Sequence, residues 1–106
     1  MLTGLSFKEF YDKLYYGADI EFTLKKWHYM IYCGWEETSN GKIHSIEIVK
    51  SDEPFFEQVT SPKVWDTVFE SKMNDGNKNI ETFLNTEIFD NKSFNDIEAG
   101  VIIDYS

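Results

Sequence analysis

Polar and apolar residues alternate strictly from Asp19 to Leu24, and apolar residues recur at every second position from Trp27 to Trp35. Ile46 and Ile48 continue the same period between Ile43 and Lys50. A period of two marks a strand with one wet face and one buried face. The pattern therefore predicts three antiparallel strands in a meander. A turn at Lys25-Lys26 pairs Leu24 with Trp27, Phe22 with Tyr29 and Ile20 with Ile31. Asn40-Gly41 is a hairpin turn signal. Centred there, the second turn pairs Trp35 with Ile46 and Cys33 with Ile48. Both registers gather the apolar set on one face, leaving His28, Met30, Tyr32, Gly34, Glu47 and Val49 on the other. Lys25-Lys26 is the weak turn, because neither residue favours positive φ.

Around this sheet the period changes to that of a helix. Ser6 and Glu9 form a capping box, and Leu5 can staple onto Phe10. Phe7, Phe10, Tyr11 and Leu14 make one helical stripe, and Gly17 suits the residue that ends it. Beyond the breaker Ser51-Asp52-Glu53-Pro54, Ser61-Pro62 reads as a second helix start. Val64, Trp65, Val68 and Phe69 supply that helix with a stripe, and Asn74-Asp75-Gly76-Asn77 ends it. A third helix is expected from about Asn79 to Asn85, with Ile80, Phe83 and Leu84 on one side. Asp90 to Ser93 reads as a turn, Ser93 to Glu98 as a short helical turn, and Gly100 to Tyr105 as a last strand on a sheet edge. The expected fold class is α+β: an N-terminal helix, a three-stranded antiparallel meander, two further helices and a C-terminal strand, in one domain spanning residues 1–106.

Composition narrows the function classes. With 106 residues, 42% hydrophobic and 17% aromatic, the chain has ample material for a single core. The formal net charge is −9, from 19 acids against 10 bases, and every base is lysine. An acidic chain without arginine is a poor direct reader of nucleic acid. A single cysteine, Cys33, permits no internal disulfide, no apolar run approaches a membrane span, and the N-terminus lacks a signal-peptide pattern. These features lead us to expect a soluble cytoplasmic protein that contacts neither nucleic acid nor membrane directly. Its oligomeric state is left open.

The segment FKEFYDKLYYGADIEF, Phe7 to Phe22, and the segment FLNTEIFDNKSFNDIEAGVIIDY, Phe83 to Tyr105, resemble a group of small uncharacterised proteins. These occur in low-GC Gram-positive bacteria and their phages and mobile elements. The resemblance covers the two ends of the chain and makes residues 54–79 look like an addition. Asn91 stands where the group's turn usually has glycine. The resemblance implies a fold and a genomic setting, and it carries no active-site residue.

Candidate chemistry is sparse. In the register above neither His28 nor His44 lies opposite Cys33, so a Cys/His nucleophile or a zinc site lacks its ligands. The histidines read as surface or rim residues and Cys33 as a small core residue. Glu36-Glu37 and Asp52-Glu53 read as solvated turn charges rather than a catalytic carboxylate pair. No phosphate loop, nucleophile elbow or metalloprotease helix is present, and no cofactor is expected.

Charge is the remaining global feature. Twelve of the acids but only five of the lysines lie beyond Val49. Such a charge serves solubility, and it also steers a basic partner. The expected function is therefore a non-enzymatic acidic protein-binding module for a basic protein. Its sharpest form is an inhibitor of a nucleic-acid-handling protein, such as an anti-CRISPR or other anti-defence factor. The residues expected to carry binding are Asp52, Glu53, Phe55, Phe56, Glu57, Asp66 and Glu70. The alternative is a self-associating accessory or scaffolding protein of a phage or mobile element.

Overall fold

A computed structural model of the chain describes residues 2–52 and 66–106. Helix α1 (Phe7–Tyr16) leads into strands β1 (Ala18–Leu24), β2 (Trp27–Thr38) and β3 (Gly41–Ser51). Strand β4 (Asp66–Met73) follows, then helix α2 (Gly76–Asn85), the short helix α3 (Phe94–Ile97), a single 3₁₀ turn and strand β5 (Val101–Tyr105). The fold is α+β. Its sheet is antiparallel, five-stranded among the described residues, and ordered β4-β3-β2-β1-β5.

Local chemistry accounts for most of the element ends. The Ser6 side chain accepts from the Glu9 amide at 3.1 Å, and Gly17 leaves α1 at φ 110°. Ser93 and Asp96 close a capping box on α3. The first hairpin has the expected register, with Leu24 opposite Trp27 and Ile20 opposite Ile31. Lys25 takes the positive φ of its turn, at 58°. The second hairpin is shifted two residues from expectation: Cys33 faces Ile46, and Trp35 faces His44. Its two-residue loop is Ser39-Asn40, closed by Thr38 opposite Gly41, so the positive φ falls on Gly41, after the loop. The Thr38 hydroxyl fixes this turn by accepting from the Asn40 amide at 3.2 Å and donating to the Gly41 carbonyl at 2.7 Å. A shift of two preserves the faces.

The expected helix over Val64, Trp65, Val68 and Phe69 is corrected. Residues 66–73 form β4, while Val64 and Trp65 lie outside the described residues. Four apolar residues spaced 1, 3 and 1 apart fit a helical stripe, but Thr67, Val68 and Phe69 are β-branched or aromatic and suit a pleated surface. A bulge at Val68 lets Phe69 face Ile48 and Thr67 face Val49. Residues 66–79 are therefore integral to the sheet and its helix layer rather than an addition. Asn74 to Asn77 begins α2 instead of ending a helix, because Asp75 caps it by accepting from the Lys78 amide at 3.0 Å.

All three described α-helices cover one sheet face. Phe94 of α3 stacks on Phe10 of α1 at 4.8 Å between centroids and meets Phe22 and Phe83 at 5.8 and 5.4 Å. The last turn of α1 leaves carbonyls without helical partners, and the sheet supplies donors. Trp35 Nε1–H donates to the Tyr15 carbonyl at 2.7 Å, and His44 Nε2 meets the Leu14 carbonyl at 2.6 Å. His44 is thus a fully buried core residue rather than a rim residue. A carbonyl only accepts, so Nε2 carries the hydrogen and Nδ1 accepts from Asn79 Nδ2 at 3.0 Å. Asn79 also donates to the His44 carbonyl at 3.0 Å and accepts from the Ser71 hydroxyl at 2.6 Å. Gly76 lets Trp35 approach α2, since a Cβ there would lie 2.6 Å from the indole.

Two substitutions test this account in urea unfolding. Asn79→Ala strips partners from buried His44 and Ser71 and is expected to cost about 2–3 kcal/mol. Lys25→Gly removes the penalty of a positive φ and is expected to gain about 0.5–1 kcal/mol, net of glycine's extra chain entropy.

Candidate functional site

The second face of the sheet carries none of the described helices. Period-two geometry fixes its membership: Asp19, Glu21 and Thr23 from β1, then His28, Met30, Tyr32, Gly34 and Glu36 from β2. Ser45, Glu47, Val49 and Ser51 follow from β3, and Thr67, Glu70 and Lys72 from β4. Asp19, Glu21, Glu36, Glu47 and Glu70 thus share a face with one lysine, Lys72, whose ammonium pairs with Glu36 at 3.4 Å.

The register sharpens this picture into a row. Asp19 faces Tyr32, Tyr32 faces Glu47, and Glu47 faces Glu70, so the four side chains cross β1 to β4 in line. Adjacent strands are about 4.8 Å apart, so this row spans about 14 Å. Like charges directly opposite one another destabilise a strand pair, and Glu47 opposite Glu70 is such a pair. Burial, then Asp19, Glu47 and Glu21, push the Tyr32 phenol above its ordinary pKa. Next to the row, Gly34 leaves the sheet surface bare. A shallow groove of about 370 Å³ opens there, bordered by Asp19, Tyr32, Ser45, Glu47 and Glu70, with the paired Lys72 and Glu36 also in its lining.

The expected binding residues separate. Asp52 and Asp66 come together at the far end of β3 and β4, in a groove of about 290 Å³ shared with Trp27 and Lys50. Lys50 stands opposite Asp66, and its ammonium lies 4.1 Å from the centre of the Trp27 ring. One lysine thus lines that groove with the two acids. Glu70 belongs to the row on the other face. Glu53, Phe55, Phe56 and Glu57 lie outside the described residues. Asp19, Tyr32 and Glu47 were missed as site residues. Their signal was present, since each alternates with a core residue, but only the strand pairing shows that they align.

One more polar chain crosses this face. The Thr23 hydroxyl donates to the Asp104 carboxylate at 2.5 Å and therefore accepts from His28 Nδ1–H at 3.1 Å. It ties β5 to β1 and β2 and orients the His28 ring. Among the described residues, no group of three or more His, Cys, Asp or Glu side chains is placed to hold a metal ion. Nor is any helix there long and apolar enough to cross a membrane. Cys33 is partly buried, with its Sγ 3.2 Å from the Ala18 carbonyl, and burial pushes its thiol up to about 11.

No family model matches this chain, and neither a curated protein nor a solved structure matches it.

Burial, with a smaller contribution from Asp90, pushes the Tyr29 phenol up to about 12. Both Cys33 and Tyr29 have folded values above their unfolded ones, so the fold favours their neutral forms. Their contribution is complete below the unfolded values of 9.0 and 10.0 and is lost as pH rises through about 11 and 12. Urea midpoints are expected to fall progressively above about pH 9, with Tyr29 accounting for about 2–3 kcal/mol of the loss by the upper end. Cys33→Ala is expected to remove the earlier part of that decline and leave the later part.

Proposed function

We propose that this chain is a non-enzymatic binding module whose partner is a basic protein, engaged through the sheet face that carries none of the described helices. The observation that carries this reading is the row Asp19–Tyr32–Glu47–Glu70, in which Glu47 and Glu70 stand side by side and no described cation is interposed. Folding alone gains nothing from that arrangement, whereas a partner bearing lysine or arginine relieves it. Tyr32 and the half-buried Met30 offer apolar contact area within the same surface. In its sharpest form the partner handles nucleic acid, and the module occupies the basic groove meant for phosphates, as an anti-CRISPR or other anti-defence inhibitor would. The resemblance of the chain's two ends to proteins of phages and mobile elements supports that form.

The alternative, self-association, draws on Ile102 and Tyr105 of β5, which are 49% and 63% exposed. A strict monomer at high concentration removes it.

The test compares three immobilised proteins against basic proteins eluted by a salt gradient. Wild type is expected to retain a basic partner that is released as salt rises. Glu70→Lys turns the Glu47–Glu70 repulsion into an attraction, so it should fold at least as well, and it is expected to lose that partner. Asp52→Asn with Asp66→Asn is expected to keep it. Retention that ignores both salt and Glu70→Lys sinks the proposal.

A further inference from the structure

We infer that the groove beside Tyr32 receives a single arginine side chain of the basic partner, its guanidinium lying on the phenol ring between the carboxylates of Asp19 and Glu47. This inference rests on the proposed binding function and deepens it. Three observations lead to it. First, Gly34 and Ser45 leave the sheet surface low next to Tyr32, so a side chain from outside has somewhere to lie. Second, the aromatic ring is half-buried and has acids on the neighbouring strands to both sides, Asp19 on β1 and Glu47 on β3. A planar cation stacks on such a ring and donates in its own plane to flanking carboxylates, which a compact ammonium does less well. Third, Glu47 and Glu70 are adjacent like charges. Lys72 lines the same groove, but its ammonium is engaged by Glu36 at 3.4 Å, so the one described lysine of this face is already paired with a different acid.

The arrangement also shapes the free protein. Among the described residues no ion pair neutralises Glu47 or Glu70, and the repulsion between them is one that a bound cation removes. Neutralising one of the two should therefore make the free protein more stable while making it a weaker receptor. A merely solvated acid would produce neither change.

The experiment titrates the folded protein with the peptides Gly-Arg-Gly, Gly-Lys-Gly and Gly-citrulline-Gly, end-blocked, and follows it by NMR. The chain contains no arginine, so every guanidinium signal belongs to the peptide. Gly-Arg-Gly is expected to shift resonances of Asp19, Tyr32 and Glu47. Gly-Lys-Gly should do so more weakly, and the uncharged citrulline peptide not at all. Tyr32→Leu keeps an apolar side chain and is expected to weaken the arginine peptide about three- to fivefold. Glu70→Gln is expected to melt above wild type and to bind the arginine peptide less tightly. Shifts that map elsewhere, or an affinity unchanged by Tyr32→Leu, overturn the arginine site. If salt-graded capture still depends on Glu70 in that case, the acidic face remains the binding surface and only the arginine site falls. If capture is indifferent to Glu70 as well, both fall.

Discussion

The structure depends on how the exposed carbonyls at the end of α1 find donors. Helix C-termini leave backbone acceptors open, and a buried acceptor without a donor is costly. Here the donors are ring N–H groups from the sheet: Trp35 of β2 for Tyr15, and His44 of β3 for Leu14. Those rings are in turn positioned by α2, because Asn79 fixes the second nitrogen of His44 and Gly76 makes room for the indole. Two helices and two central strands are thus locked through one polar cluster. A helix layer slid along the sheet would forfeit several hydrogen bonds at once, so the cluster specifies position where the greasy contacts among phenylalanines would tolerate adjustment.

Placing the whole described helix layer on one face decides the character of the other. A sheet covered on one side needs apolar residues at alternate positions only, and the intervening positions are free to be chosen for something else. In this chain they are mixed: Met30 and the buried Val49 are apolar, several are hydroxyls, and Asp19, Tyr32, Gly34, Glu47 and Glu70 gather toward one part of the face. Charge counted by chain half does not show which acids meet. The C-terminal excess includes Asp52 and Asp66, which share a groove with Lys50, whereas the acids of the row come from β1, β3 and β4 and meet only through pairing. Asp19 and Glu47 belong to the half with the smaller excess, so a count along the chain hides them.

The same reasoning explains which elements could be read from the sequence. The Ser6 cap of α1, the first hairpin and the short turn at Ser93 announce themselves through local chemistry and stand as expected, although Glu9 accepts from the Ser6 hydroxyl rather than from its amide, so the box on α1 is half-formed. The second hairpin was misplaced by two residues because its turn is set by the Thr38 hydroxyl rather than by the Asn-Gly dipeptide alone. β4 was misread because Val64, Trp65, Val68 and Phe69 satisfy a helical spacing, and only tertiary pairing with β3 decides for the strand. His44 looked like a rim residue because a polar side chain in the core is recognisable only once its partners, a helix carbonyl and an asparagine from another helix, are in place. The fold was therefore largely legible in outline. The row on the open face was not, since it depends on three registers at once.

An acidic face by itself does little to hold a partner. Long-range attraction between opposite charges raises the rate of encounter and fades with salt, while residence depends on contacts that exclude water. A binding surface of this kind needs an apolar or aromatic element inside the charged field, placed where a cation's hydration can be replaced rather than merely stripped. Tyr32 meets that requirement with acids on both sides, whereas the aromatic ring beside Asp52 and Asp66, Trp27, already carries the ammonium of Lys50. Tyr32 stands in the row between Asp19 and Glu47, with bare backbone at Gly34 on the same strand. The repulsion built into Glu47 and Glu70 then has a physical consequence. It lowers the stability of the free face, and a basic partner of the kind proposed would offset it, so in that proposal part of the free energy of recognition is already present in the fold.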